Sequence, residues 1–155
     1  MKKSAFGFDK PEDSPGFLLW QTTITWQRLI KKCLDPHTIS HAQFVILAIS
    51  LWLESQDQEV SQSLVVRQSR LDKMTVSKAC KKLAKEGYLK RLEHKIDMRS
   101  KTIHLTKRGK ELISTLIPII EKIDEDFFGL VKKSDRKSLM NILHSIVSAM
   151  DVTDE

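Results

Sequence analysis

The sequence predicts a mostly α-helical fold with one short β hairpin, an α+β arrangement in which long helices flank a small central module. Three observations predict it. The 155 residues contain only 5 Gly and 4 Pro, so few positions interrupt helix. Apolar residues recur at steps of three and four along most of the chain, the period of a helix face. Only two short stretches, 88–92 and 101–105, alternate with the period of a strand.

Composition narrows the class. With 41% apolar and 30% charged residues the chain suits one compact domain, or one module with dimerising extensions. A large multidomain enzyme, a disulfide scaffold and a chain disordered for want of apolar residues are excluded. Cys33 and Cys80 lie far apart and form no paired metal knuckle, which points to a reduced, cytoplasmic setting. The N-terminus meets Asp9, Pro11, Glu12 and Asp13 without a signal-like apolar run. The uncharged stretch from Phe44 to Leu53 is too short to span a membrane.

Residues 1–14 read as a loose, flexible arm ended by Pro15 and Gly16. A first helix covers Phe17 to Leu34, with Phe17, Trp20, Ile24, Trp26, Leu29, Ile30 and Cys33 at helical steps. Asp35-Pro36 breaks it, because proline lacks an amide hydrogen and restricts its predecessor. Ser40 caps a second helix to about Glu54. Its apolar residues, from Phe44 to Trp52, cover most of its circumference and place it centrally. After a polar link at 54–59, Ser61 or Ser63 caps a short helix holding Leu64, Val65 and Val66. A turn at Ser69 to Asp72 leads to a helix over Lys73 to Glu86, closed by Gly87, with Val76, Ala79, Cys80 and Leu83 facing inward.

Short helix, tight turn and longer basic helix make a helix-turn-helix. The alternating segments after it, with His94, Lys95, Asp97 and Arg99 in their connecting loop, make a wing. Thr106 caps a long helix whose predicted buried side is Leu112, Leu116, Ile119, Ile120, Ile123 and Phe127, bent at Pro118. Ser134-Asp135 opens a last helix with the stripe Leu139, Ile142, Leu143, Ile146 and Met150. The predicted plan is a winged helix-turn-helix DNA-binding domain at 37–106, a helical dimerisation region at 15–36 and 107–150, and a flexible C-terminus at 151–155.

Charge points to a partner. Residues 60–110 hold 15 Lys or Arg against four acidic residues, a balance of +11, whereas the rest of the chain balances to −5. Positive charge gathered on one segment is the footprint of a nucleic-acid surface. At about 100° of rotation per residue, Met74, Ser77, Lys78, Lys81 and Lys85 face away from the inward stripe, with Thr75 and Lys82 flanking them. Met74, Thr75, Ser77, Lys78 and Lys81 are candidates for base contacts in the major groove of double-stranded DNA. Arg67, Arg70, Lys82 and Lys85 are candidates for phosphate contacts, which give affinity and register. On the wing, Lys95, Asp97 and Arg99 suit a narrow, electronegative minor groove, with Asp97 orienting the Arg99 guanidinium. Leu112, Leu116, Ile120, Leu139, Ile142, Leu143 and Ile146 supply more apolar surface than two terminal helices bury against a small domain, so a homodimer interface is expected there.

The residues Gln43-Phe44, Leu83-Ala84-Lys85-Glu86-Gly87-Tyr88-Leu89, Asp97-Met98-Arg99-Ser100-Lys101 and Leu105-Thr106-Lys107-Arg108-Gly109 stand in the order and spacing of one family. Over about residues 15 to 150 the chain resembles the MarR family of bacterial winged-helix transcription regulators. The resemblance implies a homodimer with interlocked terminal helices, each wing domain reading half of a pseudo-palindromic operator, usually as a repressor. It also implies modulation by a small-molecule effector, for which Trp20, Trp26, Phe44 and Trp52 are candidate pocket walls. The chain departs from the family pattern in carrying Gln68 and Ser69 at commonly apolar positions and Lys78 where arginine is frequent. The tyrosines that surround the family's peroxide-sensing cysteine are absent, since Tyr88 is the only tyrosine. Cys33 therefore reads as an inert thiol rather than a sensor, and Cys33, His37 and His41 as structural rather than metal-binding. No serine elbow, phosphate-binding glycine loop or metalloprotease motif is present, so neither an enzyme nor a cofactor is expected. A winged-helix module for protein–protein contact is the alternative to an operator-binding regulator.

Overall fold

A computed structural model of the chain describes residues 4–93 and 101–151. In chain order these form α1 (Pro15–Leu34), α2 (His41–Ser55), α3 (Gln62–Ser69), α4 (Lys73–Lys85), β1 (Leu89–Glu93), β2 (Lys101–Leu105), α5 (Lys107–Phe128) and α6 (Lys133–Asp151). Single 3-10 turns cover Pro11–Asp13 and Asp35–His37. The chain divides into two compact units, Met1–Ile119 and Ile120–Glu155, with the boundary inside α5. Among the described residues no helix is long and apolar enough to cross a membrane.

The helices of the first unit start where their sequences dictate. Ser14 accepts the Phe17 amide, so α1 begins at Pro15, two residues before the predicted start. Ser40 and Gln43 form a reciprocal capping box on α2. Ser61, rather than Ser63, caps α3 by accepting the Leu64 amide at 3.1 Å. Thr106 accepts the Gly109 amide at 3.0 Å at the head of α5. Each cap satisfies an amide that the helix leaves orphaned and is worth about 1 kcal/mol.

The core of this unit lies where α2, α3 and α4 meet the hairpin. Leu47, Leu53, Val65, Leu83, Leu89, Ile103 and Ile113 are fully or almost fully buried. Each such Leu or Ile contributes about 1.5–3 kcal/mol by leaving water. α2 is less uniformly buried than its composition predicts: Ile46 and Leu47 are enclosed but Trp52 is exposed. On α1 only Ile30 and Leu34 are buried, and Phe17, Trp20 and Leu29 of the predicted stripe are exposed.

β1 and β2 pair antiparallel, with Leu89 opposite Leu105 and Glu93 opposite Lys101. The link before α3 joins this sheet, which its polar composition does not announce. The Ile103 amide donates to the Val60 carbonyl at 2.7 Å, and Ser61 bridges Thr102. Glu54, at the end of α2, accepts the Leu105 amide at 2.9 Å and pairs with Lys110 at 3.0 Å. One carboxylate thus fastens α2 to the end of β2 and the first turn of α5.

The buried stripe of α5 differs from the predicted one. Ile113, Leu116 and Ile120 are buried, Ile119 is exposed, and Leu112, Ile123 and Phe127 are half-buried. Seven apolar residues fall between 112 and 123, so two overlapping faces satisfy the helical period and sequence alone does not choose between them. The helix runs on through Pro118. In the second unit, α6 begins at Lys133, one residue before the predicted opening, and the Arg136 amide donates to the Lys132 carbonyl. Leu139 is half-buried, whereas Ile142, Leu143 and Ile146 are exposed.

Candidate nucleic-acid interface

α4 is built as two faces. Asp72 caps its N-terminus, accepting the Thr75 amide at 2.8 Å and the Thr75 hydroxyl. The Thr75 hydroxyl first, then its amide, hold the Asp72 carboxyl below the ordinary carboxylate range. The far end closes in a left-handed turn at Gly87 (φ 81°). There the Tyr88 amide donates to the Leu83 carbonyl and the Gly87 amide to the Ala84 carbonyl, a Schellman ending that needs the glycine. Val76, Ala79, Cys80 and Leu83 are buried. Burial pushes the Cys80 thiol up to about 11 against the opposing pull of the Arg91 guanidinium, so this cysteine is a packing residue.

The outer face is free of packing duties. Met74 is 66% exposed, and Lys78, Lys81, Lys82 and Lys85 are exposed. None of these four lysines pairs with a carboxylate of the described residues. Ser77 is half-buried at the edge of this face, and Thr75 is half-buried with its hydroxyl committed to Asp72. Arg67 is exposed on α3, and Arg70 ends that helix in a left-handed conformation (φ 61°), exposed beside the turn into α4. Eight of the nine predicted DNA contacts therefore lie on α3 and α4, and the ninth, Arg70, lies in the turn between them. Lys95, Asp97 and Arg99 lie outside the described residues.

A residue that sequence reasoning missed anchors the hairpin. Arg91 Nε donates to Gln62 Oε1 at 2.9 Å, tying β1 to the first turn of α3. Its place on the inner side of an alternating strand is the only sequence signal for it. Behind the hairpin, Thr106 donates to the Gly87 carbonyl at 2.6 Å while its amide donates to the Tyr88 carbonyl at 3.1 Å. Arg108 stacks on the Tyr88 ring at 4.6 Å. These contacts account for the Leu-Thr-x-x-Gly spacing, which locks the start of α5 onto the turn that ends α4.

The other predicted sites are dispersed. Trp26 meets His41 edge to face at 5.2 Å, Phe44 is buried one turn further along α2, and Trp20 and Trp52 are exposed. Neither of the two cavities described in the chain is lined by any of the four. Cys33 is half-buried and His37 lines a separate cleft. Among the described residues no three His, Cys, Asp or Glu side chains are grouped to hold a metal ion. Of the predicted dimer residues, Leu116 and Ile120 are 1% and 5% exposed within the single chain, which leaves almost nothing for a partner to cover.

A helix-turn-helix with an unpaired basic outer face and a hairpin behind it defines the class of winged-helix DNA-binding regulators. The family pattern described as ArnR1-like, winged-helix domain, matches residues 35–123. The HTH-type transcriptional regulator YdcH of Bacillus subtilis is 36% identical over 128 residues, covering 83% of this chain and 87% of that one. Among solved structures, a MarR transcriptional regulator from Methanosarcina mazei is 26% identical with a TM-score of 0.71, covering 86% of this chain and 94% of that one. BpsR of Bordetella bronchiseptica shares the fold, with a TM-score of 0.79 at 23% identity, covering 93% and 98%. The chain belongs to the MarR family of winged-helix transcriptional regulators.

Proposed function

We propose that the chain is a sequence-specific repressor that binds a pseudo-palindromic operator as a homodimer. The observation that carries this reading is the division of α4 into a fully packed inner face and an outer face of unpaired lysines. Unpaired lysines keep their full charge for an anionic partner, and the wide major groove of B-form DNA admits a helix. In this reading Met74, Thr75, Ser77, Lys78 and Lys81 meet base edges, and Arg67, Arg70, Lys82 and Lys85 meet phosphates. Lys95, Asp97 and Arg99 take the wing to the minor groove.

Exposed apolar side chains on α6 support the dimer. Ile142 and Ile146 are each 57% exposed and Leu143 lies on the same helix, a stripe that a lone chain leaves in water. The interface we assign comprises Leu112, Leu139, Ile142, Leu143 and Ile146, with the exposed residues of α1. A small-molecule effector belongs to the same reading: the DNA binding of BpsR is regulated by 6-hydroxynicotinic acid. Trp20, Trp26, Phe44 and Trp52 remain its proposed apolar wall, completed in the dimer.

A salt series of binding constants on operator and on scrambled duplex tests the assignment. Lys78→Ala is expected to narrow the gap between the two duplexes by about 1–3 kcal/mol, the worth of one good base contact. Lys85→Ala is expected to weaken both alike and to reduce the slope of log affinity against log salt by about one. Equal losses on both duplexes for Lys78→Ala would remove it from the base contacts.

A further inference from the structure

We propose that the cleft at the C-terminal end of α4 is an oxyanion site, shaped for the phosphate or carboxylate group of a small molecule. The cleft has a volume of about 410 Å³ and is lined by His37, Thr38, Lys85, Glu86, Tyr88 and Arg108. Three segments build it: the junction of α1 and α2, the end of α4 with its turn, and the first turn of α5.

Arg108 is the centre of the argument. Its Nη1 donates to the Glu86 carbonyl at 2.7 Å, its Nη2 reaches the Tyr88 hydroxyl at 3.4 Å, and the guanidinium lies over the Tyr88 ring. All three partners are neutral, so the group is held in place with its charge uncompensated. No carboxylate of the described residues pairs with Arg108 or with Lys85. A planar fork fixed beforehand loses little freedom on gripping a planar or tetrahedral oxyanion, and Lys85 in the same lining contributes a second positive charge. The His37 ring and the Thr38 and Tyr88 hydroxyls offer further hydrogen bonds. Glu86 is the one acid in the lining, so Lys85 and Arg108 leave a net positive wall. That sign selects an anion. The volume lies within the roughly 300–1,000 Å³ of small-ligand sites, and so has room for an organic group attached to the anion. An anion bound there would join the last turn of α4 to the α1–α2 junction and to α5.

Tyr88, the only tyrosine of the chain, gives a single-residue reporter. The full-length protein, without DNA and at constant ionic strength, is titrated with inorganic phosphate and separately with benzoate while the Tyr88 ring resonances are followed by NMR. The expected result is a saturable shift, half complete at or below about 5 mM. Lys85→Gln and Arg108→Lys are each expected to weaken it about ten-fold, the second retaining charge but losing the fork. A linear, unsaturating response to both anions, or an unaltered response in Lys85→Gln with an unfolding midpoint equal to wild type, overturns the proposal. If Arg108→Lys fails to fold, Lys85→Gln decides alone. Repeating the titration with a short duplex bound separates two sources of oxyanion. Undiminished phosphate binding assigns the cleft to a free small molecule, and complete displacement by the duplex assigns it to a backbone phosphate. The titration without DNA stands independently of operator reading, so its failure and that of the salt series are separate results.

Discussion

Gly109→Ala sets two physical effects against each other. Gly109 lies in the first turn of α5, where alanine is the better helix former by up to about 1 kcal/mol. Propensity alone therefore expects stabilisation. The structure expects the reverse: a Cβ on Gly109 would stand 1.9 Å from the Tyr88 carbonyl oxygen and 2.9 Å from its carbon, both backbone atoms. Relieving that contact requires α5 and the turn after α4 to separate by more than about 1 Å, since a packed core does not yield freely. The movement strains the Thr106 amide bond to Tyr88 and the Thr106 hydroxyl bond to Gly87. Two hydrogen bonds at about 1 kcal/mol each, with about 1–3 kcal/mol of overpacking and the propensity gain subtracted, leave a net loss of roughly 2–4 kcal/mol. For a chain of this length that lowers Tm by roughly 5–15 °C. Urea and thermal unfolding at fixed protein concentration measure it, beside Gly16→Ala as the opposite case. The Cβ at Gly16, in the first turn of α1, meets only Ser14 Oγ at 4.0 Å, so that variant is expected to gain up to about 1 kcal/mol. A midpoint for Gly109→Ala at or above wild type would refute the reasoning.

Replacing Leu143 and Ile146 together with glutamate is expected to give monomers or unfolded chains in sedimentation equilibrium, and a wild type that is monomeric at micromolar concentration would defeat the dimer proposal. The buried Cys80 thiol, raised to about 11 from 9.0, keeps its proton in the folded state where the unfolded chain loses it. Stability is therefore expected to be intact below about pH 9 and to fall as pH rises from there through about 11, and Cys80→Ala should flatten that limb of the unfolding curve. Glu54→Ala removes the acceptor of the Leu105 amide and is expected to cost about 2 kcal/mol, while Glu54→Gln, which keeps an acceptor and loses only the Lys110 pair, should cost under about 1 kcal/mol in the same urea assay.

The parts of the fold legible in the sequence are those decided by residues within one turn of each other. Ser40 and Gly87 announce helix ends because caps act locally, and Val76, Cys80 and Leu83 announce the inner face of α4 because its outer residues are nearly all polar. α5 was ambiguous for the opposite reason: Ile117, Ile119 and Ile120 crowd one turn, and only the tertiary contacts select Ile113, Leu116 and Ile120. The partners of Val60, Glu54 and Arg91 were illegible because each lies 29 to 56 residues away. Of the candidate site, the outer face of α4 was readable as a helical projection. The cleft of His37, Lys85 and Arg108 was not, since it joins segments that no short-range pattern connects.

The cap at Asp72 has a consequence for how such a regulator changes its target. Met74, Lys78 and Lys81 carry none of the packing of α4, so substitutions there alter the proposed reading face at a folding cost within about 0.5 kcal/mol. New sequence preferences can accumulate at those positions independently of stability. Thr75 is different: the hydroxyl that would face a base is the same one that holds Asp72 at the head of the helix. A change of specificity at this position is also a change in the stability of the helix that carries it, so Thr75 is where the two properties must drift together.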